Sequence, residues 1–343
     1  MPPLSYPRLK PGVESRTRGD EILFTLPYFA IALPLEPART ITRYFDGRHE
    51  LAEITQGTGM SYENVVKLQS VLTQNGLVEN LCTPLSHIFH GPHADPSAVL
   101  TQIKLQSELD LITHRPDSND GGVKELSLRG AFTILISGEN RLARNLLATL
   151  QSMGFNNTRI ITRAHLSAYI GPDDVCGLTT RMSDIGKKRN EFAQEIMRNS
   201  QFIPTDQVAK ADPDLVISTI PIEWDYVQRW MSEGTTHLHI NPLIGQHCEI
   251  GPLVIPGLTP CLRCVALTKK STDLSLLHET LRTELPTQVI ATLVGMVATL
   301  VGQYAATGLS PLTAASHWVD LLSPFEKSEK RYWEFNASCG CSN

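Results

Sequence analysis

From Val13 to Leu33 the apolar and polar positions group into three short runs: Val13–Arg18, Glu21–Leu26 and Phe29–Leu33. Gly19-Asp20 separates the first two, a spacing that predicts a hairpin followed by a third strand. The period then lengthens. Residues 36–46 put Ile41, Tyr44 and Phe45 on one helical face, Gly47 ends that helix, and Leu51–Gln56 forms a second. The third helix has the clearest signal, over residues 61–75. Ser61 is its N-cap, Glu63 sits in the first turn where a carboxylate suits the helix dipole, and Val65, Leu68, Val71 and Leu72 recur at helical spacing. Gly76 stops it and Leu77-Val78 returns as a strand. Three strands and then three helices predict a winged-helix-like α+β unit over residues 1–80.

Periodicity is lost over residues 81–95, which carry Pro and His and read as a linker; residues 96–112 form one bridging helix, and Arg115–Gly122 is a loop by composition. The linker region therefore spans 81–124. A second domain follows over 125–343. Ala131–Ile136 is a continuous apolar run, as expected of a strand buried on both faces. A tight turn at Ser137–Asn140, a helix at Arg141–Gly154 and a strand at Arg159–Thr162 complete a strand–turn–helix–strand unit, the opening of a doubly wound sheet. Asp214–Ile220 and His237–Ile240 read as further strands, Glu223–Glu233 as a helix between them, and 286–306 as a long covering helix. The fold class is α/β, Rossmann-like in the second domain.

Composition narrows the possibilities. Of 343 residues, 41% are hydrophobic and 19% charged, enough to bury a core and to exclude disorder as the default. A net charge of -5, with no basic block interleaved with aromatics, argues against nucleic acid as a partner. The N-terminus lacks the apolar core of a signal peptide, and Val289–Val301, the longest apolar run, is too short to cross a bilayer. The expectation is a cytoplasmic protein with no membrane partner. The seven cysteines are then not a disulfide framework.

Two motifs bear on chemistry. A working dinucleotide or ATP loop brings backbone N–H groups to phosphate at a helix N-terminus, which requires glycine. This loop reads Gly138-Glu139-Asn140-Arg141-Leu142-Ala143, with glycine at only the first of three small positions. Asn140 puts a side chain where backbone should meet phosphate, and Glu139 puts a negative charge beside the anion. Arg163 stands where an acidic residue should hold the ribose. Two independent requirements fail, so ATP binding is not expected. The second motif is Cys261-Leu-Arg-Cys264 together with Cys339-Gly-Cys341. Two close thiol pairs suit a tetrahedral, closed, structural zinc. Cys82, Cys176 and Cys248 read as small core residues. His237, His239 and His247 read as structural, and a His247–Cys248 nucleophile–base pair is disfavoured because strand neighbours point apart. Lys187, Lys188 and Arg189 could meet phosphates but read better as a solvated helix start.

The N-terminal unit offers one binding hypothesis. An exposed Phe29–Leu33 strand beside the 61–75 helix would let an extended peptide add to the sheet edge. Phe29, Ile31, Leu33, Val65, Leu68, Gln69 and Leu72 are the candidate peptide-binding residues. The pattern alone favours a blander role for Val65, Leu68 and Leu72, as the unit's own core.

Certain stretches resemble known families. Asp184-Ile-Gly-Lys-Lys-Arg-Asn-Glu191, and Gly251–Cys264 entering its Pro-Cys-x-x-Cys, are similar to segments of ThiF-like and ubiquitin-activating-type proteins. The Cys339-Gly-Cys341 tail resembles the bacteriocin-type ThiF-like subgroup. Pro7–Val13, Asp46-Gly47 and Leu51–Ile54 are similar to PqqD-like precursor-recognition domains. The resemblance implies a leader-peptide-binding protein of a thiazole/oxazole-modified peptide pathway. It would present a ribosomal precursor to a separate YcaO-type cyclodehydratase for azoline formation, without catalysis of its own, and a homodimer is expected. The alternative is an active ThiF-type ATP-dependent adenylating enzyme acting on a peptide.

Overall fold

The computed structural model describes residues 5–27, 29–82, 96–115, 118–161, 168–200, 212–220, 224–244, 246–269, 285–323 and 326–341. Arg163 and the 83–95 stretch of the expected linker lie outside them. The chain divides into two compact units, Met1–Ser127 and Leu128–Asn343.

In the first unit β1 (Tyr6–Leu9) is followed by β2 (Glu14–Arg18), β3 (Glu21–Leu26) and β4 (Phe29–Pro34), then α1 (Leu35–Thr42), α2 (Leu51–Thr58), α3 (Tyr62–Gln74) and β5 (Val78–Leu81). Strands β2, β3 and β4 form an antiparallel sheet in that order. β4 is therefore an edge strand among the described residues. β1, which the periodicity does not announce, pairs antiparallel with β5, Tyr6 opposite Leu81. Phe24, Ile41, Ile54, Val65, Leu72 and Leu77 form the core. α3 starts as expected, with the Ser61 hydroxyl accepting the Asn64 N–H at 3.3 Å. It ends at Gly76, whose φ of +69° is open to glycine at no steric cost. α4 (Pro96–Ile112) buries Leu105, Leu109 and Ile112, one face of a helix.

α5 (Val123–Ala131) straddles the division between the units. It moves the first strand of the second unit past the expected Ala131 start. The second unit then runs β6 (Thr133–Ser137), α6 (Arg141–Ser152), β7 (Asn157–Ile161), α7 (Arg189–Ser200), β8 (Leu215–Ser218), α8 (Trp224–Glu233), β9 (His237–Ile244), β10 (His247–Val254), α9 (Leu262–Thr268), α10 (Thr287–Thr307), β11 (Ala315–Asp320) and β12 (Ser328–Tyr332). The sheet order is β12-β11-β10-β9-β8-β6-β7. β7, β6, β8 and β9 are parallel, as a doubly wound sheet requires, while β10, β11 and β12 extend it antiparallel. The sheet is thus mixed, not wholly Rossmann-like. β12 reads Ser-Glu-Lys-Arg-Tyr and is exposed throughout, a charged edge with no apolar alternation to betray it.

α10 is long and apolar enough to cross a membrane by composition alone. Its Val289, Ile290, Leu293, Val297 and Val301 pack instead into the main core with Ile134, Ile136, Leu146 and Phe155. The site follows from the strand order. The chain leaves β6 for β7 on one side and returns to β8 on the other, so the topological switch point lies between β6 and β8. Open α/β sheets bind ligands in the crevice outside the strand ends at that point.

Candidate functional site

At the β6–β8 crevice the protein's own groups tie the two strand ends together. Gly138 has φ of +130°, and a Cβ there would stand 2.3 Å from Thr219 Oγ1, so the loop after β6 lies directly against the end of β8. Asn140 caps α6: its Oδ1 accepts the Ala143 N–H at 2.9 Å, and its Nδ2 donates to Thr219 O at 2.9 Å. Thr219 Oγ1 donates to Ser137 O at 3.2 Å, and the Thr219 N–H reaches the same carbonyl at 3.0 Å. One helix cap thus ties the two loops together across the switch point.

Around that helix start lies a charge cluster that sequence reading missed. Arg144, 1% exposed at its side chain, donates to Glu139 O at 2.6 Å and to Asp174 Oδ1 at 2.7 Å. Arg189 meets Asp174 Oδ2 at 2.8 Å. Burial alone would raise Asp174, but hydrogen bonds from the Gly171 N–H and both guanidinium groups hold it below the usual carboxylate range. Glu139 is the reverse case. Burial pushes its carboxyl up, against the pull of Arg189 and Arg144, and its Oε1 is buried with no hydrogen-bond partner. Arg141 donates to the carbonyls of Val175 at 2.8 Å and Leu285 at 2.9 Å. Lys187 pairs with Asp184 and Glu195, and Lys188 with Glu191. Two arginines in the first turn of α6 oppose the helix dipole. That anomaly was the one sequence signal for the cluster.

The four motif cysteines converge. Cys261 is the N-cap residue of α9, Cys264 lies in its first turn, and the tail supplies Cys339 and Cys341. The sulfurs all lie within 4.8 Å of one another, with Cys261–Cys264 at 3.9 Å, Cys261–Cys339 at 3.4 Å and Cys264–Cys341 at 3.2 Å. A tetrahedral ion at a metal–sulfur distance of about 2.3 Å needs sulfur edges of about 3.8 Å. The donor set and spacing therefore fit a metal ion. The Asn336 N–H approaches Cys264 Sγ at 3.4 Å, a donor placed to steady a thiolate. Burial pushes the Cys261 and Cys341 thiols up to about 11, so a cation is what would keep them ionised at neutral pH.

The candidate peptide residues divide. Val65 and Leu72 are 0% exposed and belong to the core, which removes them from any surface groove. Ile31, Leu33 and Leu68 are partly buried at the margin of that core, and Phe29 is 40% exposed. Gln69 Nε2 donates to Ser5 Oγ at 3.0 Å and Asn80 Oδ1 at 2.6 Å. An apolar hollow of about 540 Å³ lies at the start of β4, lined by Pro11, Gly12, Leu26, Pro27, Phe29 and His114. Elsewhere Cys248 is fully buried and pushed up to about 12 by burial, while His247 is half-buried over Trp318; no nucleophile–base pair forms. His237 and His239 are buried, each pushed down to about 4 by burial.

No protein-family model and no curated protein matches the chain. Solved structures do. The microcin C7 biosynthetic enzyme MccB in complex with N-formylated MccA superposes with a TM-score of 0.68 at 10% identity, covering 98% of this chain and 99% of that one. Escherichia coli MccB with ATP gives 0.67 at 11% identity, with the same coverage. The heterocyclase TruD gives 0.57 at 13% identity, covering 98% of this chain but 43% of TruD. At such identities the likeness is one of fold: the chain shares the fold of MccB over essentially its whole length.

Proposed function

We propose that the chain is a non-catalytic receptor for the leader of a ribosomal precursor peptide, which it presents to a separate YcaO-type cyclodehydratase for azoline formation. The observation that carries this reading is the β6–β8 crevice. Asn140 and Thr219 hydrogen-bond across the ends of β6 and β8, beside the crevice in which open α/β sheets hold ligands, and this supports the expectation that ATP does not bind. Two further observations support it. β4, which carries the partly buried Ile31 and Leu33, is an edge strand among the described residues, and an extended peptide can add to such an edge through backbone hydrogen bonds. MccB, a biosynthetic enzyme, is held with N-formylated MccA, and TruD, a heterocyclase, shares the fold over less than half its length. In the receptor reading the rest of a heterocyclase comes from the partner. The thiolate cluster holds zinc as a closed structural site with no open position for substrate.

The test is calorimetry of the zinc-loaded protein against the candidate leader and, separately, against Mg–ATP. The leader binds and ATP gives no heat. Leu68→Asp weakens leader binding by roughly 30-fold or more, because a carboxylate desolvated under the peptide costs on the order of 2 kcal/mol. Its circular dichroism stays that of the wild type. Leu72 is the wrong probe, since a charge at a fully buried core position would unfold the unit. Unchanged affinity in folded Leu68→Asp ends the groove assignment.

The adenylating-enzyme reading has one observation in its favour: MccB, matched over its full length, holds ATP. Pyrophosphate release from ATP in the presence of the peptide would establish it and displace the receptor reading.

A further inference from the structure

We propose that the outer edge of β12 is a second docking strand, which takes an extended acidic segment of a partner protein. It lies in the second unit and does not depend on the leader reading of β4.

Among the described residues β12 closes the large sheet, with β11 on one side and no strand on the other. The register decides which of its backbone groups look outward. The Asp320 N–H donates to Lys327 O at 3.2 Å, and the Trp333 N–H donates to Ala314 O at 2.8 Å. Between those two bonds the strands stay in step, from Val319 opposite Ser328 to Ala315 opposite Tyr332. In an antiparallel ladder every second residue bonds to the neighbouring strand. Lys327, Glu329, Arg331 and Trp333 therefore turn their backbone groups toward β11. Lys330 and Tyr332 turn theirs away from it. An extended chain adds to such an edge through its own N–H and C=O groups.

The side chains select what can add. Lys327, Glu329 and Arg331 alternate onto one face, where with His247, Trp318 and Ser328 they line a hollow of about 310 Å³. The Arg331 guanidinium is held 4.2 Å from the centroid of the Trp318 ring, a cation stacked at the wall of that hollow. Its 3.2 Å link to Glu329 is an exposed ion pair, weak enough for an incoming carboxylate to replace. The opposite face carries Lys330 and Tyr332, the ammonium 4.8 Å from the ring centroid. Lys327–Tyr332 thus presents three cations and one carboxylate. Glu326 and Glu334 flank the stretch, so the complementary acidic run is only a few residues long. Charge by itself only guards an edge against pairing. Guarding needs no hollow with a stacked cation beside the strand, whereas a strand that receives a peptide uses such hollows for alternate side chains. The β4 edge has the contrary chemistry, since Phe29–Pro34 contains no charged residue. The two edges take different sequences, which assigns β12 to a partner protein and not to the leader.

The test is calorimetry on the full chain with two synthetic peptides, Thr-Glu-Val-Glu-Val-Glu-Thr and the same peptide with Lys in place of Glu. The acidic peptide binds, its affinity falls as salt rises, and the Lys peptide gives no heat. Lys330→Pro removes one outward N–H and leaves the β11 ladder alone, at a position where edge strands accept proline. Lys330→Gln removes only the charge. The proline variant binds the acidic peptide at least about tenfold more weakly than the glutamine variant. Leu68→Asp, in the first unit, leaves that affinity unchanged. No binding of the acidic peptide overturns the proposal, as does equal binding of the two peptides or equal affinity of the two Lys330 variants. If Lys330→Pro is unfolded by circular dichroism, Lys327→Glu combined with Arg331→Glu decides instead. The preference then passes to the Lys peptide, and an unchanged preference overturns the proposal. Wild-type self-association that Lys330→Pro abolishes would make a second copy the occupant and overturn it as well. Absence of leader binding by the wild type overturns the receptor reading alone.

Discussion

A guanidinium as buried as Arg144 is tolerable only with its charge met, and Asp174 meets it at 2.7 Å while the Glu139 carbonyl takes a second donor. Removing one partner of such a pair costs about 3–5 kcal/mol, because the other is left charged in a low dielectric. The buried histidines solve the same problem by losing the charge. His237 Nδ1–H donates to Thr235 O, 3.0 Å away, and its Nε2 has no partner; His239 Nδ1 has none either. Burial pushes both down to about 4 from the ordinary 6.5, with Lys269 and His237 adding to the effect at His239. The sign follows directly: the unfolded chain takes up protons first as pH falls. Stability is fully present above about 6.5, declines below it, and stops declining near 4. Each imidazole accounts for roughly 3 kcal/mol of that decline. Urea unfolding at stepped pH should show the slope, and a His237→Leu/His239→Leu variant should flatten it. A wild-type midpoint constant from pH 6.5 to 4 would contradict the assignment.

At the scale of elements, the long periodic helices were the legible part, while α5 and α9 went unread. α3 could be placed within a residue from its cap and its period, because both signals are local. The Ser61 hydroxyl does accept the Asn64 N–H, so Ser61→Ala should cost about 1 kcal/mol. Hydrogen exchange should register that loss in Met1–Ser127 and not in Leu128–Asn343; a uniform loss would mean the two units unfold together. The period shows that Val65, Leu68 and Leu72 share one face, yet it cannot say how deep each sits. Val65 and Leu72 are in the core and Leu68 is at its margin, a difference set by what packs over them. Strands were less legible where their partners lie far away. β1 finds β5 across the whole first unit, and β12 carries no apolar alternation because neither of its faces is buried.

For the whole molecule the thiolate cluster matters most. It joins α9 to the C-terminal tail, two segments distant in sequence, and packs with Val216, Val254 and Trp230 on one side of the sheet. One tightly held divalent ion per chain is expected by elemental analysis. Chelation should lower the melting temperature and expose the tail to carboxypeptidase, and Cys264→Ser should reproduce both without chelator. A metal-free protein with an unchanged melt would make the cluster a set of free thiols. The sequence by itself determined α3, the buried strands β6 and β8, the two thiol pairs and the single glycine of the loop after β6, because spacing, caps and apolar runs act over a few residues. Tertiary structure alone decided that Asp174 and Arg189 return to Arg144, that Thr219 closes on Asn140 and that Val65 is core. Those facts depend on which distant segments come into contact, and local pattern carries no record of the pairing.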